Sequence, residues 1–197
     1  MQNYQIKQLI DTSSRIILKV GSSLLINENK NDINYHWLKN FSKEIQNLTD
    51  KKKQIMIVSS GSVALGRKQL NLVKNLSLDE KQAAAAVGQI HLSHAWKEVL
   101  KSFNLESAQI LLAPDDTETR RKHLNARATL LKLLQLNVIP VINENDTVST
   151  DEIKFGDNDR LAARVAQMCE VDLLILFSDV NGLCLLYTSP SPRDETK

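Results

Sequence analysis

Ile16-Ile17-Leu18-Lys19-Val20-Gly21-Ser22-Ser23 is the stretch on which the fold turns. A short, mostly β-branched apolar run breaks off at a glycine and two serines. Such a run is apolar at consecutive positions rather than at alternate ones, which is the pattern of a strand covered on both faces. Four more runs of this type follow: Ile55-Met56-Ile57-Val58, Ala108-Gln109-Ile110-Leu111-Leu112, Val138-Ile139-Pro140-Val141-Ile142 and Leu173-Leu174-Ile175-Leu176-Phe177. Helical segments separate them. Tyr35 to Leu48 carries Trp37, Leu38, Phe41, Ile45 and Leu48 at helical spacing. A short helix is expected from Val63 to Leu70. A long one from Asp79 to Phe103 opens on two acids, which suit a helix N-terminus. Thr119 to Leu136 and Asn158 to Met168 complete the set. Strand and helix in alternation predict an α/β fold, a three-layer α/β/α sandwich with a mainly parallel sheet and right-handed crossovers.

Polar clusters sit directly after the strands: Gly21-Ser22-Ser23, Ser59-Ser60-Gly61-Ser62, Asn143-Glu144-Asn145-Asp146 and Ser178-Asp179-Val180-Asn181-Gly182. In open α/β sheets, ligands bind at the carboxyl ends of the strands, so these clusters mark one site. Lys19 is costly inside an apolar strand unless its amine meets an anion or snorkels to water. With Gly21-Ser22-Ser23 beside it, a phosphate is the natural anion, since glycine admits close approach to backbone N–H groups. Ser59-Ser60-Gly61-Ser62 opens a helix. It reads as an anion-binding turn, as a serine N-cap, or as both. Asn143 to Asp146 offers a carboxylate for an ammonium and amides for a carboxylate, or else a plain polar turn. In Gly156-Asp157-Asn158-Asp159, Asp157 or Asn158 would make a good N-cap. Asp159, one step into the helix, could face the site and orient a lysine or a metal. His91 and His94 lack a third metal ligand. Trp37 and Trp96 read as packing. Arg120, Arg121, Lys122 and Arg127 read as a solvated or oligomer-facing surface.

The chain has 197 residues, enough for one domain with a sizeable core. A net charge of +2 and the single tight basic run Lys51-Lys52-Lys53 give no basic stripe interleaved with aromatics, so no nucleic-acid partner is expected. The two cysteines, Cys169 and Cys184, have no metal-like spacing and read as reduced thiols. No apolar run reaches the length of a membrane span, and Met1 to Ser14 lacks the apolar core of a signal peptide. A cytoplasmic protein is expected. The Walker A pattern and Gly-x-Gly-x-x-Gly are both absent, which sets aside P-loop NTPases and standard dinucleotide binders.

Ile17 to Ser23 resembles the opening strand and phosphate loop of the amino-acid kinase superfamily, and Val58 to Gly66 its second loop. Ala85-Ala86-Val87-Gly88-Gln89, Leu124-Asn125-Ala126-Arg127, Val138 to Val148 and Gly156-Asp157-Asn158-Asp159 resemble, in this order, the glutamate 5-kinases within it. The resemblance covers residues 15 to 183, an amino-acid kinase domain preceded by a polar lead over 1–14. It implies ATP + L-glutamate → ADP + L-glutamyl 5-phosphate, the first step of proline synthesis, with Mg2+ accompanying the nucleotide. Lys19 and Asp159 would be catalytic, Asp159 as an organiser of lysines. Ser60, Gly61, Asp146 and Asn158 would bind glutamate. Lys19, Gly21, Ser22, Ser178 and Asp179 would bind ATP, with Gly21, Ser22 and Gly61 supplying backbone donors. The resemblance also implies proline as a feedback inhibitor and a homo-oligomer for the complete protein. Cys184 to Lys197 departs from the family and reads as a non-family tail, so the domain is expected to be partial and this chain inactive by itself. The alternatives are another superfamily member, such as an acetylglutamate kinase, aspartokinase or uridylate kinase, or an inactive glutamate-binding fragment.

Overall fold

The chain's structure is a computed structural model that describes residues 2–27, 32–73, 75–148 and 158–178. In chain order the elements are α1 (Gln2–Thr12), β1 (Arg15–Val20), α2 (Ser22–Leu25), β2 (Ile26–Asn27), β3 (Asp32–Ile33), α3 (Tyr35–Asp50), β4 (Gln54–Ser59) and α4 (Ser62–Gln69). There follow α5 (Leu78–Ser102), β5 (Glu106–Leu112), α6 (Pro114–Glu118), α7 (Arg120–Gln135), β6 (Val138–Glu144), a 3-10 turn (Asp146–Val148), α8 (Asn158–Met168) and β7 (Leu173–Phe177).

Five strands pair in the order β5-β6-β4-β1-β7, every neighbouring pair parallel. β2 and β3 form a small antiparallel hairpin apart from this sheet. Side chains alternate across a strand, and β1 shows both consequences. Ile16, Leu18 and Val20 enter a core with Leu38, Phe41 and Ile45 of α3 and Leu92, Trp96 and Leu100 of α5. Ile17 enters the opposite core with Leu130 and Leu134 of α7 and Leu161, Val165 and Met168 of α8. The sheet therefore lies between two helical layers, as the continuous apolar runs predict.

The run Ala108 to Leu112 departs from that rule. It forms β5 at the sheet edge, where Gln109 and Leu111 are exposed rather than covered. The polar lead also takes structure, as helix α1, and Ile10 of this helix packs on the first core. Lys53 holds the lead's end by donating to the carbonyls of Asp11 and Ser13.

Helix starts follow capping chemistry. Asn34 accepts from the Trp37 N–H at 3.2 Å. Ser77 and Glu80 form a reciprocal capping box at the start of α5. The glycine of Ala85-Ala86-Val87-Gly88 has a steric reason. A Cβ on Gly88 would collide with the backbone carbonyl of Ser62, and one on Gly66 with the carbonyl of Ala84. α4 and α5 thus cross with their backbones in contact, which presses the middle of α5 against the start of α4. Among the described residues no helix is long and apolar enough to cross a membrane.

Candidate active site

Because the main strands are parallel, β1, β4, β6 and β7 all end on one edge of the sheet. Val20 is in register with Ser59 on one side and Phe177 on the other, and Val58 with Ile142. Gly21, Ser60 and Ser178 therefore follow their strands along one line, and Asn143, still buried within the end of β6, stands beside them.

Lys19 shares the Ile17 face of β1, the face covered by α8. Its ammonium meets Asp159 Oδ1 at 2.6 Å, and it is 8% exposed as a whole residue. The Asp159 side chain remains 55% exposed. A buried lysine stem thus ends at a carboxylate that is open to the edge. The pair couples the first strand to the first turn of α8.

Next to it lies a chain of amides. Asn158, the first residue of α8, is buried, and its Nδ2 reaches the Ser59 carbonyl at 3.0 Å, Ser60 Oγ at 2.7 Å and Asn143 Oδ1 at 2.9 Å. Asn143 Oδ1 also accepts from the Glu144 N–H at 2.9 Å. Asn143 Nδ2 donates to Gln89 Oε1 at 2.7 Å and reaches Ser62 Oγ at 3.4 Å. Ser62 in turn donates to Asp146 Oδ2 at 3.1 Å. From below, Trp96 Nε1 donates to Ser59 Oγ at 2.9 Å. Asn158 Oδ1 is buried and has no partner among the described residues.

Ser22, Ser60, Gly61, Asp146 and Asn158 line one cavity of about 350 Å³, together with Arg67, Lys81 and Glu144. Val63, Ala64 and Arg67 also line it, the last a helical turn beyond the first, as residues on one helix face do. The wall carries both signs of charge, which suits a zwitterion. Burial raises the Asp146 carboxyl above its ordinary value, with the Ser62 hydroxyl partly opposing the shift. A partly desolvated carboxylate of this kind gains most from a cationic partner.

The structure brings Lys19, Asp159, Ser60, Gly61, Asp146, Asn158, Gly21 and Ser22 to the same edge, and Ser178 follows β7 there. Asp179 lies outside the described residues, as do Gly156 and Asp157. Three readings need correction. The Gly21 N–H is not open to a phosphate, because it donates to the Phe177 carbonyl at 3.2 Å. What Gly21 leaves open is room: a Cβ there would come 3.9 Å from Lys19 Nζ. Asn158 is not an N-cap, since its side chain turns inward to three acceptors. Nor is there a serine cap at α4. Gly61 holds that position with φ 114°, a left-handed conformation that glycine adopts without strain. In the basic cluster, Lys122 pairs with Asp115 and Asp116, while Arg127 donates to the Met168 carbonyl and pairs with Glu170, so these two are tied to neighbouring elements.

Gln89, Ser62 and Asn143 stand within motifs of the sequence, yet their contacts with one another join segments far apart in the chain and have no local signal.

A model of the amino acid kinase family matches residues 14–195. A glutamate 5-kinase of Paramagnetospirillum magneticum is 51% identical over 182 residues, which are 92% of this chain and 48% of that protein. One from Rhodopseudomonas palustris is 54% identical over 177 residues, 89% of this chain and 46% of the relative. One from a Bradyrhizobium species is 50% identical over 186 residues, 94% and 48% respectively. The chain spans about half the length of the curated relatives it matches.

Proposed function

The chain belongs to the amino acid kinase family, and from that premise we propose that it carries the glutamate-binding and phosphate-facing parts of a cytoplasmic glutamate 5-kinase. The observation that supports this most is the adjacency of two unlike features. A mixed-charge cavity with a partly desolvated carboxylate, Asp146, is lined also by Asn158, and the next residue in the chain, Asp159, holds the buried Lys19.

In this reading Asp146 receives the substrate ammonium. Ser60, Gly61 and Asn158 hold the rest of the amino acid, so that its side-chain carboxylate points toward Lys19. That carboxylate is ionised at neutral pH and is itself the nucleophile, so no strong general base is needed. An oxygen of the carboxylate bonds to the γ-phosphorus of ATP as the bond to the bridging oxygen breaks, and ADP leaves with its electron pair. Two anions must approach each other. The residues' task is therefore alignment and charge neutralisation. Lys19 supplies positive charge to the transferring group, and Asp159 fixes the direction of its amine. Ser22 and Ser178, with Asp179 beyond the described residues, face the nucleotide. Mg2+ bound with ATP would add charge neutralisation at the phosphates. The same resemblance carries feedback inhibition by proline and a homo-oligomeric state.

The test is a substrate panel on a protein of the relatives' full length that includes this chain. L-glutamate should drive ADP release, while N-acetylglutamate, L-aspartate and UMP should not. ADP release driven by one of the latter instead would replace this reading by another member of the family.

A further inference from the structure

The amide chain has a polarity that the backbone settles. Asparagine and glutamine flips are ordinarily assigned from the hydrogen-bond network. Here two partners leave no choice. The Glu144 N–H can only donate, so the atom of Asn143 facing it is the oxygen. The Ser59 carbonyl can only accept, so the atom of Asn158 facing it is the nitrogen. Asn143 Oδ1 takes both the Glu144 N–H and Asn158 Nδ2, each at 2.9 Å. Its Nδ2 is then left needing acceptors. Gln89 Oε1 at 2.7 Å is the strong one, and Ser62 Oγ at 3.4 Å the weak one. Because Ser62 Oγ lies toward an N–H donor on that side, its own hydrogen is directed to Asp146 Oδ2.

Gln89 itself is absent from the wall of the cavity that Asn158 and Asp146 line. It lines a second cavity of about 280 Å³ that shares the Ser62, Glu144 and Asp146 wall. Its place is set by Gly88, whose backbone contact with α4 brings α5 within reach of Asn143.

We propose that Gln89 is a positioning residue of the amino-acid site. Its side-chain carbonyl holds the Asn143 amide in the polarity that the Glu144 N–H sets, and through that amide it steadies Asn158 Nδ2 and the Ser62 hydroxyl on Asp146. The consequence falls on the cavity wall. Asn158 and Asp146 both line it, so an Asn143 amide held in place fixes two of the side chains that would meet the amino acid. That last step rests on the functional reading above. The locking itself does not.

The experiment has two arms. In this chain, exchange of the Asn143 and Asn158 side-chain NH2 groups is followed by NMR in Gln89→Leu, Gln89→Met and Gln89→Glu. Leucine and methionine keep the volume and remove the acceptor, and glutamate restores an acceptor. The first two should speed Asn143 NH2 exchange by about tenfold or more, the loss of one good hydrogen bond, while β6 backbone amides are unchanged and Gln89→Glu returns to the parent rate. In the second arm, with the full-length protein, Gln89→Leu and Gln89→Met should raise the glutamate KM by about tenfold with the ATP KM unchanged, and Gln89→Glu should largely restore it. Unaltered Asn143 exchange would overturn the proposal. So would a parallel loss for both substrates with no rescue by glutamate. A parent protein indifferent to glutamate would refute the functional reading, and the exchange arm would still decide for or against Gln89.

Discussion

Replacing Lys19 by methionine separates catalysis from stability more cleanly than replacing it by alanine. The lysine is 8% exposed, so most of what the fold covers is its aliphatic stem. Alanine removes about three methylenes of that stem, at about 0.8 kcal/mol each, before any chemistry is touched. Methionine keeps nearly all of it. The lost ion pair costs little, because Asp159 is 55% exposed and regains water. Pairs with so open a partner contribute about 0–1 kcal/mol, and removing a covered ammonium offsets part of even that. Lys19→Met should therefore unfold in urea within about 1 kcal/mol of the parent. Turnover is another matter. Losing one charge contact made to the transferring group costs about 3–4 kcal/mol, or about a hundredfold to a thousandfold in kcat. The glutamate KM should change little, since the contact strengthens only as the phosphoryl group moves. Glutamate-dependent ADP release by the full-length protein, paired with urea unfolding, reads both quantities. A kcat within about threefold of the parent would refute the assigned role of Lys19. A stability loss of several kcal/mol would show the lysine to be structural.

Asp146→Asn should raise the glutamate KM by about tenfold to a hundredfold, the worth of a hydrogen bond to a charged group. Its pH behaviour gives a second check. Because burial raises the Asp146 carboxyl above its ordinary value, the folded chain binds this proton more tightly than the unfolded chain. The group's contribution to stability therefore falls as pH rises from the ordinary carboxylate value through the raised one. Glutamate affinity moves the opposite way and is lost as pH falls through the raised value, because an ammonium needs the ionised form. Calorimetric titration across that window should show a steeper loss of affinity in the parent than in Asp146→Asn, where only the titration of glutamate itself remains, and the variant should also gain stability at neutral pH. Gly88→Ala should destabilise the fold by about 1–3 kcal/mol or more in urea unfolding, since its Cβ would push α5 off the Ser62 carbonyl. A neutral Gly88→Ala would deny that α4 and α5 touch as described.

Local rules reached far along this chain where the signal is itself local. The five apolar runs became the five strands of the main sheet, and Ser77 with Glu80 made the capping box that an acidic helix start suggests. Lys19 stood out because a cation in an apolar strand demands a partner, and Asp159 was the right kind of residue to supply one. What local rules could not supply was the neighbour. The Ala108 to Leu112 run says apolar without saying which end of the sheet it takes, so the edge position of β5 was invisible. The N–H of Gly21 is taken by a carbonyl from the last strand, a partner set by sheet order. Asn158 looks like a cap by composition, yet its acceptors at Ser59 and Ser60 lie 99 and 98 residues away in sequence. Gln89 meets Asn143 across 54 residues, and nothing in its own surroundings announces the contact.

The most direct measurement is chemical trapping of the product. With MgATP, L-glutamate and hydroxylamine, a protein of the relatives' full length that includes this chain should yield the side-chain hydroxamate of glutamate in step with ADP. That product forms when hydroxylamine displaces phosphate from the acyl phosphate at the side-chain carboxyl. Lys19→Met should lose both products together, by about a hundredfold or more. ADP release without hydroxamate, or hydroxamate formation that Lys19→Met leaves intact, would contradict phosphoryl transfer to the glutamate carboxylate at this strand edge.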